Sequence, residues 1–176
     1  MNQAWELLFE GKIDEAKKLV SETFSLETCK NYSLLNLMGY IKLFEKDYQE
    51  ALLIYQKYLE IAISSQDKEN EHIGYHQLAM VYREMNDYQT ALNYIDKERE
   101  IIEKSFSEDA LKSSVNNYEQ GYLRLKLWEI AKAIMYMEQS LKQALQTDDL
   151  IAQACSYRCL GELYSAENSE KSQENF

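Results

Sequence analysis

The sequence contains no proline and only five glycines among its 176 residues. Proline removes a backbone donor and clashes with the preceding turn, and glycine costs about 1 kcal/mol in a helix interior, so their scarcity suits long helices. There is no apolar run approaching the ~18–20 residues of a membrane span. The opening stretch MNQAWELLFEGKIDEA has no basic segment ahead of an apolar one, so no secretory signal is expected and a cytoplasmic location is. Basic surplus is missing as well: 19 Lys and Arg stand against 30 Asp and Glu, a net charge of −11. Binding a phosphate backbone requires a basic face, so neither nucleic acid nor an anionic membrane surface is an expected partner. Three cysteines (Cys29, Cys155 and Cys159) are too few and odd in number for a disulfide framework.

Motifs of catalysis are lacking too. The chain has no glycine-rich phosphate loop, nucleophile elbow or HExxH, and its carboxylates fall where charge runs solvate helices. No catalytic residue and no cofactor are expected, and the chain does not read as an enzyme. His72 and His76, like Cys155 and Cys159, share one helical face. In a repeat array those helices would lie about 20 Å apart at ~10 Å per neighbour, too far to share a zinc ion, so no metal site is expected.

What the chain does contain is repetition. An apolar residue recurs three positions before an alanine at Ile13/Ala16, Tyr48/Ala51, Tyr88/Ala91 and Ile130/Ala133. Each pair opens an amphipathic stripe continued by Val20, Tyr55, Ile95 and Met137, and three of the four follow a polar turn. In Ser33 to Ile61, a first helix marked by Leu35, Met38 and Gly39 precedes a second marked by Tyr48, Ala51, Leu52, Tyr55 and Leu59. One such hairpin cannot bury both stripes, so the repeats must stack. The expected hairpins span about 2–24, 27–63, 70–104 and 108–146, with a capping helix at 149–165, all in one domain of residues 1–166. A polar tail, 167–176, is expected to fray.

Two local expectations concern the fourth hairpin. Ser105-Phe106-Ser107-Glu108 reads as a capping box opening it. Its first helix aligns with the third hairpin at a shift of 40, through Val115, Tyr118 and Tyr122, and its second at 42, which places two extra residues near Leu127-Trp128.

Tyr75, Leu78, Ala79, Tyr82, Tyr88 and Ala91 occur in the order and spacing of the tetratricopeptide repeat, which the chain resembles. Leu35, Met38, Gly39, Tyr48, Ala51 and Tyr55 follow it in the second hairpin, where Lys42 departs from the family's tyrosine. Tyr157, Leu160, Gly161 and Tyr164 match the first half of another repeat. The resemblance implies an all-α, right-handed superhelix of about four helix-turn-helix repeats with a C-terminal capping helix. The missing family proline and the spacings of 40 and 42 look like the extended-helix variant found in bacterial peptide-sensing regulators. No stretch of the sequence is left over for the helix-turn-helix domain such regulators usually carry.

By the same resemblance, first helices line a concave groove that holds a protein or peptide. Its positions would be Asn36 and Tyr40, then His76, Met80 and Arg83, then Asn116, Gln120 and Arg124, with Arg158 on the cap. An amide side chain both donates and accepts, so it can hold a peptide backbone whatever the peptide's sequence, and arginine can grip a carboxylate with two parallel bonds. A peptide with an acidic side chain or free C-terminus is therefore the expected client. The alternative is a self-associating adaptor, a homodimer through the terminal hairpins.

Overall fold

The computed structural model describes residues 2–21 and 24–173, with side chains described over 3–21 and 24–165. Nine helices and no strand occur among the described residues: α1 (Asn2–Phe9), α2 (Ile13–Ser21), α3 (Tyr32–Phe44), α4 (Tyr48–Ser64), α5 (Lys68–Glu84), α6 (Tyr88–Ser105), α7 (Ala110–Lys126), α8 (Ile130–Ala144) and α9 (Leu150–Gln173). The chain divides into two compact units, Met1–Met85 and Asn86–Phe176, each described by itself below.

Why the helices stop and restart is local chemistry. Lys46, Gln66, Asn86 and Trp128 all have positive φ, between 57 and 61°, the left-handed turn that closes a helix. At Lys46 the next amide, Asp47 N–H, reaches back to the Lys42 carbonyl at 2.9 Å, and Asp67 and Glu129 do the same after Gln66 and Trp128. An aspartate then caps the following helix. Asp47, Asp67, Asp87 and Asp109 each accept a hydrogen bond from the backbone N–H three residues on, which satisfies one of the orphan donors at a helix start. Glu129 has no such bond, so α8 begins uncapped behind an 81% exposed Trp128.

The aspartate caps act through charge, which makes them testable. The Lys112 backbone N–H holds the Asp109 carboxyl below its ordinary pKa of 3.8. A lowered folded-state pKa contributes stability that is present above the unfolded value and lost as pH falls through the folded one. Asp109→Ala is expected to cost about 1 kcal/mol near pH 7, with the gap to wild type narrowing near pH 2, as urea denaturation at the two pH values would show.

In the first unit α1 packs on α2 and α3, α3 on α4, and α4 on α5. Leu35, Leu37, Met38 and Ile41 of α3 meet Ile54 and Tyr58 of α4 in one buried cluster with Ala4, Leu8, Ala16 and Val20. Tyr55 lies flat against Gly39, where an added Cβ would stand 2.7 Å from the ring Cε carbons, and donates its hydroxyl to the Asn36 carbonyl. The second hairpin begins at Tyr32 rather than near residue 27: Asn31 is its cap, and a turn occupies 26–28. The end of the first hairpin, residues 22–23, lies outside the described residues.

In the second unit α6 packs on α7, α7 on α8, and α9 on both α7 and α8. Ala133 and Met137 of α8 meet Cys159, Leu160 and Leu163 of α9. Ser114, Ser140 and Ser156 stitch these three helices together. Ser114 Oγ donates to the Ser140 carbonyl and Ser140 Oγ to the Ser114 carbonyl, each at 2.9 Å, and the Ser140 and Ser156 hydroxyls meet at 2.9 Å.

Three local expectations are corrected here. The Ser105–Glu108 capping box does not form: Ser105 ends α6, and Asp109 caps α7. The caps Asp67 and Asp109 are 42 positions apart (109 − 67 = 42), so α7 follows α5 at the same shift as α8 follows α6. The two extra residues therefore lie in the α6–α7 connection and not at Leu127-Trp128. The glycines agree, since Gly121 underlies Met137 as Gly39 underlies Tyr55, sixteen positions on in both hairpins (137 − 121 = 55 − 39 = 16). Finally, α9 runs past residue 165 to Gln173, with neither proline nor glycine after Gly161 to end it, and 174–176 lie outside the described residues.

Candidate functional site

In the first unit, α3 and α5 both pack against α4 and place Asn36 and Tyr40 on one helix, His76, Met80 and Arg83 on the other. A direct bond joins the two helices, Gln77 Nε2 donating to the Tyr40 hydroxyl at 3.5 Å. Tyr40 is held from the other side by the edge of Trp5, with ring centroids 5.5 Å apart. Asn36 is half-buried, and its Oδ1 is shielded from solvent without a hydrogen-bond partner. Met80 is buried, and the partly exposed Arg83 guanidinium lies 3.5 Å from Glu84. Gln77 was not foreseen from the sequence: it holds the position of Leu37 one repeat earlier and so resembles a packing residue. Its Oε1 too is buried without a partner.

The second unit distributes its residues differently. Asn116 is 2% exposed and Gln120 is fully buried. At a shift of 42 they take the places of Gly74 and Leu78, which pack inside a hairpin, and both spend their amides on α6. Asn116 Nδ2 donates to the Ile95 carbonyl and to Glu98 Oε2, at 2.9 and 3.0 Å, while its Oδ1 accepts from Arg99 Nε. Gln120 Nε2 donates to Asp96. Arg124 bonds Glu129 at 2.9 Å and lies 4.9 Å from the centroid of the Tyr136 ring, so its charge is used at the turn into α8. Arg158 is exposed on α9 and hydrogen-bonded to Tyr118, which holds its pKa above the ordinary value.

By the same shift the counterparts of His76 and Met80 on α7 are Tyr118 and Tyr122. Tyr118 helps to line a cavity of about 280 Å³ between α7 and α9, walled by Leu111, Val115, Ile151 and Cys155. The cue that would have found it was the repeated aspartate cap. Burial pushes the Cys159 thiol above its ordinary pKa and away from a reactive thiolate, and that thiol points at the Tyr118 hydroxyl, 3.6 Å away. Among the described residues no group of three or more His, Cys, Asp or Glu could hold a metal ion, and no helix is long and apolar enough to cross a membrane.

Residues 31–104 match the model of the tetratricopeptide repeat. The fold is similar to that of BtubC (BKLC) from P. vanneervenii, at a TM-score of 0.76 and 16% identity, covering 98% of this chain and 73% of that one. It is similar also to nearly identical TPR-like repeats from a Podosopora anserina protein, at a TM-score of 0.70 and 16% identity over 98% and 88% of the two chains. Residues 41-end of MamA from Desulfovibrio magneticus RS-1 align at a TM-score of 0.58 and 17% identity, over 96% and 93%. A comparison with curated protein sequences gives no match. Residues 31–104 thus match a tetratricopeptide repeat, and the described residues as a whole have an all-α, TPR-like repeat fold of tandem helical hairpins closed by left-handed turns.

Proposed function

We propose that the chain is a non-catalytic scaffold that holds a peptide segment of a partner protein along the α3–α5 face of its first unit. The observation that carries this reading is the Tyr40–Gln77 bridge, which joins α3 to α5 directly beside the half-buried Asn36. The Asn36 N–H2 can donate to a peptide carbonyl and the Tyr40 hydroxyl can both donate and accept, so backbone is recognised whatever the client's side chains. Tyr40 and Met80 supply the apolar floor on which a side chain would rest. His76 and Arg83 stand on the same helix as Met80 and favour a client with an acidic side chain or a free C-terminal carboxylate. Regulatory peptide sensing is the finer form of this reading, in which the bound peptide stiffens the array.

The test is to pan a random peptide library against the whole chain and titrate the best binder calorimetrically. Asn36→Ala and Arg83→Glu are each expected to weaken binding at least about tenfold, roughly 1.4 kcal/mol. Amidating a C-terminal acid should weaken it similarly if the terminus is what Arg83 grips. Binders indifferent to both substitutions would remove the site from this face.

A further inference from the structure

The glycines at one repeat position differ in what covers them. Gly39 of α3 is covered by Tyr55 of α4, and Gly121 of α7 by Met137 of α8, so closely that a Cβ at either glycine would overlap the covering side chain. Gly161 holds the equivalent place on α9, and an added Cβ there would meet nothing within 4 Å. Among the described residues no side chain covers it as Tyr55 covers Gly39. Instead Gly161 opens into an apolar groove of about 570 Å³ between α8 and α9, lined by Leu141, Leu145, Tyr157, Leu160 and Tyr164. Leu145, Tyr157 and Tyr164 are 54, 56 and 40% exposed, which is unusual for large apolar side chains that share one groove.

The groove is self-complementary. Covering Gly161 in the manner of Gly39 requires a helix that offers a bulky side chain, and α9 offers two tyrosines, four residues before its glycine and three after. Hole and knob therefore lie on one stripe of one helix. An interface about a two-fold axis has that requirement, since each residue meets a partner residue that meets it in return. The charged residues at the groove's rim on α8, Glu138 and Lys142, are of opposite sign, so juxtaposing two rims adds no net local charge although each chain carries −11. Tyr164 donates its hydroxyl to Glu138 across the groove. We infer that this groove is the docking face for a second copy of the chain, with α9 crossing α9 over Gly161 and a tyrosine of each copy seated on the glycine of the other. The inference is independent of the peptide face on α3 and α5.

Sedimentation equilibrium of the full chain tests it. Wild type should pass from a species of 20.7 kDa toward twice that mass as concentration rises. The search spans about 1 to about 200 μM, the range in which interfaces of modest size dissociate. Gly161→Leu fills the hole, and Tyr157→Ser removes a knob; each should weaken dimerisation at least about tenfold, a change of roughly 1.4 kcal/mol. Gly161→Leu enters open space on a helix, so its melting temperature in dilute solution should not fall, which separates lost association from lost folding. A 20.7 kDa species at every concentration, or a dimer whose dissociation constant neither substitution moves by more than about twofold, overturns the inference.

Discussion

Gly39→Leu should cost more than about 4 kcal/mol and leave the first unit unfolded or nearly so, since a domain's whole stability is only about 5–15 kcal/mol. The Tyr55 ring occupies the space any side chain at residue 39 would need, and the ring has nowhere to go: it is fully buried, and its hydroxyl is bonded to the Asn36 carbonyl. Moving α4 away would also open the cluster of Leu35, Leu37, Ile41, Ile54 and Tyr58. Gly39→Ala tests the same contact more gently. Helix propensity alone would favour it by about 1 kcal/mol, and overlap with the ring costs about 1–3 kcal/mol, so the net effect should still be destabilising. Gly161→Ala is the control, a helical glycine of the same repeat position with no neighbour to strike, and should stabilise by about 0.5–1 kcal/mol. Urea denaturation followed by far-ultraviolet circular dichroism reads all three. Equal responses at residues 39 and 161 would mean that α4 does not seat on Gly39 as described.

The same glycines show which parts of the structure were legible in the sequence. A small residue one turn from an aromatic stripe is a pattern that a linear sequence displays, so the helices and their polar turns could be read with most ends within a few residues. The phase of α7 could not be read in the same way. Val115, Tyr118 and Tyr122 imitate an apolar stripe at a shift of 40, because tyrosines serve both buried and open faces, and Asn116 and Gln120 look like solvent-facing amides. Amides normally lie outside, and the sequence alone does not show that Ile95, Asp96, Glu98 and Arg99 of the preceding helix are placed to satisfy them. Aspartate caps are the more faithful rulers, since Asp67 and Asp109 mark backbone positions whatever the helix faces carry. Arg124 misleads for a related reason: arginine on a first helix suggests a groove, but Glu129 five residues on takes its charge at the turn. In the first unit α3 and α5 share one phase, since Gly39 and Ala79 stand at the same repeat position.

Asn116→Ala should cost about 2–4 kcal/mol, far more than an exposed amide would, and this is the substitution that most directly tests the corrected phase of α7. Asn116 of α7 is the point at which three groups of α6 meet. Its Nδ2 serves the Ile95 carbonyl and the Glu98 carboxylate, and its Oδ1 receives Arg99, whose second nitrogen reaches Asn117 and whose plane lies 4.9 Å from the centroid of the Tyr136 ring. Glu98 is only 3% exposed, so losing one of its donors leaves charge in a place where water cannot replace the bond. Gln120→Leu, one turn along the same helix, should behave in the opposite way and be neutral or stabilising by up to about 1 kcal/mol. Gln120 is fully buried with Oε1 unpartnered, its one bond goes to Asp96, an exposed residue that water can serve, and leucine is what the third repeat carries at Leu78. Differential scanning calorimetry of the two variants separates the possibilities. A large loss at 116 with none at 120 is the signature of one amide clamping two helices beside another that merely fills a leucine's place. Small, equal effects at both would put the pair on an open face and return α7 to a shift of 40.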